Sequence, residues 1–261
     1  MSDYTLVIAV DRRHLAQLAV TWPTWVRHKP DLARVPMVVI YDHEQVGPGV
    51  IHRVLHRDMS CIPWPPPGVT YPDTGGKWGD GQRYKMLAGF VYCAARAVDT
   101  KYWLKLDVDT VATGHPDWID PVWFADNPAI AAQGWGYTKP PDQMLLLDKW
   151  VADNAAKLPA LANITPPLNL APNPGSSIVK HKRIISWAGF FDTDFTNMCA
   201  VAAEQTCGHG YLPVQSQDGF MWYCAARLGL PIMRVDMKSR GWEHWTTFEN
   251  IQRAAARAMG V

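Results

Sequence analysis

Lys101-Tyr102-Trp103-Leu104-Lys105-Leu106-Asp107-Val108-Asp109-Thr110 is a mostly apolar and aromatic run that ends on two carboxylates one residue apart. Tyr102, Leu104 and Leu106, with Trp103 between them, predict a strand buried on both faces, as the central strands of parallel sheets are. Such strands do not ordinarily finish in Asp-x-Asp, because neighbouring carboxylates repel and each is costly to desolvate. A divalent cation removes both costs. The plainer alternative is a solvated Asp pair closing an Asx-type turn. In open α/β sheets, ligands bind outside the carboxyl ends of the strands, so position and composition point to the same place.

Working outward, Tyr4-Thr5-Leu6-Val7-Ile8-Ala9-Val10 reads as a first parallel strand that meets Asp11 at its carboxyl end. Residues 14–27 carry Leu15, Leu18, Trp22 and Trp25 near helical spacing, and Pro23 is expected to bend or end that helix. A second strand, Met37-Val38-Val39-Ile40, runs into Asp42-His43-Glu44, and residues 51–57 are read as a third, shorter strand. This β-α-β-β opening suits a nucleotide-binding α/β half. Residues 61–81, rich in proline and glycine, are read as a long functional loop. The loop ends in Gly75-Gly76-Lys77-Trp78-Gly79-Asp80-Gly81 and feeds a helix over 82–98, with Asp80 as its cap. A glycine-rich approach to a helix start can cradle phosphate, and Lys77, Arg83 and Lys85 add cations there, although no Walker pattern is present.

Downstream, strands are expected over 129–135, 184–192 and 230–235, the last an edge strand because Pro231 stands at its start. Helices are expected from about 142 to 161, over 193–204, and from Gln215-Ser216-Gln217-Asp218-Gly219-Phe220 to about 228, with a long Pro/Asn/Gly loop over 163–177. Lys180-His181-Lys182-Arg183 is a dense basic run, either a solvated edge or an anion contact. Arg240-Gly241-Trp242-Glu243-His244-Trp245 places one histidine between tryptophans; such a histidine is either structural or a ligand.

The totals bound the class. With 261 residues, 48% of them hydrophobic and 19% charged, the chain is long enough for one generous α/β domain and is not of disordered composition. A net charge of +1 argues against binding nucleic acid through bulk charge. Thirteen Trp fill a core, but their faces also stack on sugars and bases. Five Cys without a CxxC pair suggest neither a zinc site nor a disulfide framework. The short apolar run at residues 4–10 is not a signal peptide and no stretch approaches a membrane span, so a cytoplasmic location is expected.

Asp107-Val108-Asp109 after a buried strand resembles the DxD signature of GT-A nucleotide-sugar glycosyltransferases. That resemblance implies an α/β, Rossmann-like domain with a mostly parallel sheet over 1–261, nucleotide-binding over 1–110 and acceptor-binding over 111–261. It implies Mn²⁺ or Mg²⁺ held by Asp107, Asp109 and a returning His244. It further implies donor contacts from Val10, Asp11, Lys77, Arg83 and Asp107, with Gly189 giving the sugar room at the backbone. Asp218 would be the base of an inverting enzyme, although the family usually has an acid pair where this chain has Gln217-Asp218. The implied donor is a UDP-sugar. The acceptor is open: a saccharide, a small molecule, a protein, or hydroxymethylated DNA bases, as phage DNA glycosyltransferases use. Two alternatives remain: a nucleotidyltransferase acting on a sugar phosphate, and a metal-free carbohydrate- or nucleotide-binding module.

Overall fold

A computed structural model describes residues 4–64, 97–133, 137–138, 149, 152–153, 155–156, 182–183, 187–199, 221, 224–225, 228 and 230–261. The chain opens with β1 (Tyr4–Val10), α1 (Arg12–His28), β2 (Met37–Asp42), α2 (Pro48–Leu55) and β3 (Ser60–Trp64). It continues through β4 (Tyr102–Leu106), β5 (Thr110–Ala112), β6 (Ile130–Gln133), β7 (Tyr137–Thr138), β8 (Lys182–Arg183) and β9 (Ala188–Asp192). Last come β10 (Ile232–Val235), β11 (Trp242–His244) and the helix α3 (Phe248–Met259). Seven strands form one sheet in the order β10-β6-β9-β4-β1-β2-β3. Only β9 runs antiparallel, against both β4 and β6; the other pairings in this sheet are parallel. This is the mostly parallel α/β architecture expected from the sequence.

β4 lies at the middle of that sheet and every residue of it is buried, including Lys105. Tyr102, Leu104 and Leu106 join the main core with Leu6, Ile8, Leu18, Trp25 and Phe190. Trp103 lies outside that cluster, stacked on Phe191, and its Nε1 donates to Thr196 Oγ1 at 2.8 Å. α1 covers the core with Leu15, Leu18, Trp22 and Trp25. Pro23 does not end the helix, which runs on to His28. Burial of Trp22 and Trp25 on either side of the proline outweighs a ring whose helix penalty is about 3 kcal/mol.

The strand expected over 51–57 is corrected. Those residues belong to α2, where Ile51 and Leu55, four apart, form the buried face. Pro48 sits at the helix start, where its missing N–H costs nothing, and His56 ends the helix in the left-handed region (φ 49°). The third strand is β3, inside the stretch read as loop. As the edge strand of the sheet it tolerates Pro63. β10 is the opposite edge, as Pro231 predicted.

A second, two-stranded ribbon carries His244. β5 pairs antiparallel with β11, setting His244 opposite Thr110 and Trp242 opposite Ala112. α1 fastens the β5 side: Thr21 Oγ1 donates to the Val108 carbonyl at 2.8 Å, and Trp25 Nε1 to that of Thr110 at 2.7 Å. α3 backs the ribbon, with Ile251, Ala254 and Ala255 buried against Val111.

Candidate metal centre

Asp107 is the first residue beyond β4. Its N–H donates to the Trp187 carbonyl at 2.8 Å, and its own carbonyl accepts from Thr110 N–H (3.1 Å) and Thr110 Oγ1 (2.8 Å). The turn at Val108-Asp109 is therefore closed by the Asp107 backbone, whereas its carboxylate reaches back to Lys105, with Nζ 3.0 Å from Oδ1. That argues against the Asx-turn alternative, in which the carboxylate itself would cap the turn. Asp109 accepts from Trp245 N–H at its carbonyl (3.2 Å), which fixes the turn against the far end of β11.

His244 arrives on β11 with Nε2 3.2 Å from Asp109 Oδ1. Its ring stacks on Trp187 at 5.6 Å between centroids and 11° between planes. Ligand atoms of Asp107, Asp109 and His244 all lie within 4.8 Å of one another. The two aspartates and the histidine are partly exposed (38%, 22% and 18% of their side chains), so the cluster opens toward solvent on one side.

These residues fit a divalent cation. Asp109 Oδ1 is buried without a hydrogen bond, which is costly for a carboxylate oxygen unless something else satisfies it. Neighbouring ligands on an octahedral ion at about 2.1 Å stand about 3 Å apart, matching the separation of that oxygen from Nε2. Two carboxylates with one imidazole suit Mn²⁺ or Mg²⁺ better than a thiophilic metal.

The ribbon that carries His244 is pinned from beneath by Lys29, a wholly buried lysine just past the end of α1. Its Nζ donates to the carbonyls of Gly114 (2.5 Å), His115 (2.8 Å) and Arg240 (2.7 Å) and lies 5.5 Å from the Trp242 ring. One ammonium thus ties the end of α1 to the loop after β5 and to the turn before β11. At that turn Gly241 has φ +76°, and a Cβ there would stand 1.8 Å from the Thr113 carbonyl oxygen.

Of the other residues singled out from sequence, Val10 is buried at the end of β1, and Asp11 caps α1 by accepting from His14 N–H at 2.7 Å. Gly189 lies on β9 between Lys105 of β4 and Ala132 of β6. Lys182 and Arg183 form β8, a short strand paired with Tyr137 and Thr138. Lys77, Arg83, Lys180 and Asp218 fall outside the described residues. Sequence reasoning missed Lys105, Trp187 and Lys29. A lysine amid the apolar residues of a central strand was the available signal for the first.

No protein-family model matches the chain, and no curated protein sequence does. Solved structures do. The chain is similar to core-mannan synthase A (CmsA/Ktr4) from Aspergillus fumigatus in its Mn/GDP form, with a TM-score of 0.55 at 11% identity over 99% of this chain and 86% of that one. It is similar to the mannosyltransferase Ktr4p from S. cerevisiae in complex with GDP, with a TM-score of 0.58 at 13% identity over 93% and 71%. It also matches the galactosyltransferase LgtC with donor and acceptor sugar analogs, at 0.53 and 12% over 98% and 97%. The fold is that of the GT-A glycosyltransferases. Among the described residues, no helix is long and apolar enough to cross a membrane.

Proposed function

We propose that this protein is a metal-dependent glycosyltransferase that moves a sugar from a nucleoside-diphosphate sugar to an acceptor hydroxyl. The observation that carries this is the Asp107, Asp109 and His244 cluster, with Asp109 Oδ1 buried without a hydrogen bond and 3.2 Å from His244 Nε2, at the end of the central strand of a GT-A fold. Asp109 and His244 would hold Mn²⁺ or Mg²⁺ with Asp107 assisting. When bound, the cation supplies Lewis-acid neutralisation of the leaving diphosphate. Trp187 holds the His244 ring in place through their stacked faces. Val10 and Asp11, at the end of β1, are proposed to face the nucleoside, and Gly189 to admit the donor sugar. Lys77 or Arg83 would share the diphosphate charge. Asp218 would take the acceptor proton if the reaction inverts. The donor proposed is a UDP-sugar, with GDP-sugars next because two of the structural neighbours carry GDP. A saccharide is proposed as acceptor, and the cytoplasm as the location.

The test is thermal unfolding with UDP, GDP, CDP or no nucleotide, each with Mn²⁺ or EDTA, on the wild type and Asp109→Ala. The expected result is a rise in Tm that needs both one nucleotide and Mn²⁺ and is absent in Asp109→Ala. At a hundredfold excess over Kd that stabilisation is about 2.7 kcal/mol. A nucleotide effect that survives EDTA would favour a metal-free binding module instead.

A further inference from the structure

Gln17 on α1 is only 2% exposed, and its Oε1 is buried without a hydrogen bond among the described residues. A carboxamide oxygen withdrawn from water with nothing donating to it is unfavourable, and a leucine would fill the same space without that cost. Gln17, Thr21 and Thr24 recur at helical spacing and share one side of α1. Thr24 Oγ1 accepts from Ala112 N–H at 3.1 Å, at the far end of β5, and Thr21 Oγ1 donates to the Val108 carbonyl at 2.8 Å. Toward the start of α1 these contacts climb the ribbon to the turn between Asp107 and Asp109, and Gln17 stands one helical turn further on. Val20, three residues from Gln17, packs on the same small cluster as Trp245, whose N–H holds the Asp109 carbonyl. α1 itself starts just past β1, which pairs in parallel with β4 and so ends at the same edge of the sheet as Asp107.

Resting on the proposed metal centre, we infer that Gln17 is a positioning residue of that centre: its Oε1 accepts a hydrogen bond from water that the divalent cation brings to the Asp107–Asp109 turn. The argument is one of donors. Asp109 Oδ1, 3.2 Å from His244 Nε2, is likewise buried without a hydrogen bond. Both atoms are acceptors, so neither can satisfy the other. A bare ion would answer the carboxylate alone. A hydrated ion answers both, since water on a divalent cation is a strengthened donor and such an ion keeps water where protein does not fill its shell. Three side chains leave such positions open. Gln17 then orients that water, and through it the ion, as outer hydrogen-bond partners do at metal sites.

The test is Mn²⁺ affinity, read by electron paramagnetic resonance of the free ion, beside thermal unfolding in EDTA. The proteins are the wild type, Gln17→Leu, Gln17→Met and Gln17→Glu. The two apolar variants should bind Mn²⁺ about tenfold more weakly. In EDTA their Tm should equal or exceed that of the wild type, because they remove a buried acceptor that has no donor there. Gln17→Met differs in shape from Gln17→Leu and covers the case in which one of them packs poorly. Gln17→Glu keeps an acceptor and adds negative charge, so it should bind Mn²⁺ at least as tightly as the wild type. Unchanged Mn²⁺ affinity in both apolar variants would overturn the inference. So would a lowered Tm in EDTA for both, which would make Gln17 a structural prop. Absence of Mn²⁺ binding in the wild type would instead overturn the metal centre itself.

Discussion

A single buried ammonium, Lys29, carries much of the geometry around the candidate centre. Three carbonyls from two separate loops converge on its Nζ, and without it all three would lose their donor. Lys29→Met is expected to lower stability by about 1–3 kcal/mol in denaturant unfolding. The pH dependence of that loss has a definite sign. Burial lowers the Lys29 pKa from 10.5 to about 8, against the opposing pull of Asp31. Between those values the unfolded chain binds the proton and the folded chain does not, so stability from this group rises with pH across that window and falls as pH drops through 8. The Tm gap between wild type and Lys29→Met should therefore widen from pH 8 to pH 10. A gap that narrows over that range would show that the ammonium, not the amine, is the form the fold favours.

The β5/β11 ribbon is the element on which the site depends, since it delivers His244 to Asp109 from far along the chain. Its entry turn leaves no room for a side chain at Gly241, where backbone stands within 1.8 Å of an added Cβ and φ is already positive. Gly241→Ala is expected to shift β11, cost about 1–3 kcal/mol and abolish Mn²⁺ binding measured by calorimetry. Gly260→Ala makes the matching control, because Gly260 also has positive φ but open space around it; it should cost about 1 kcal/mol or less and leave Mn²⁺ binding unchanged. How legible each element was in the sequence follows from what marks it. β4 and its aspartates stood out because carboxylates at the end of an apolar run break the burial rule. His244 stood out only through that resemblance, as nothing local forces a histidine to return to a strand end. α2 was misread as strand because a short apolar run has no periodicity long enough to decide, and the helix is set by Ile51 and Leu55 finding the core. A lysine in an apolar strand marked Lys105 as unusual, but its contact with Asp107 could not be read, since a lysine in a strand looks the same whether it points to water or to a carboxylate.

At the scale of the molecule, charge is nearly balanced, at +1 over 261 residues. Such a protein has no bulk field with which to hold a polyanion. Binding to hydroxymethylated duplex DNA, measured by fluorescence anisotropy between 50 and 200 mM salt, is therefore expected to be weak and without a steep salt slope. A steep slope that is lost on neutralising Lys180, Lys182 and Arg183 would move the proposed acceptor from a saccharide to DNA. The same molecule-wide view changes the meaning of its thirteen tryptophans. Trp25, Trp118 and Trp242 pack edge-on within the core, where ligands do not reach. Trp187 alone among the described tryptophans lies face to face with an imidazole of the candidate centre. A paramagnetic ion bound by His244 would sit within quenching range of that indole, so the protein carries its own optical gauge. Its emission is expected to fall as Mn²⁺ is added, a titration that can be followed without any added dye.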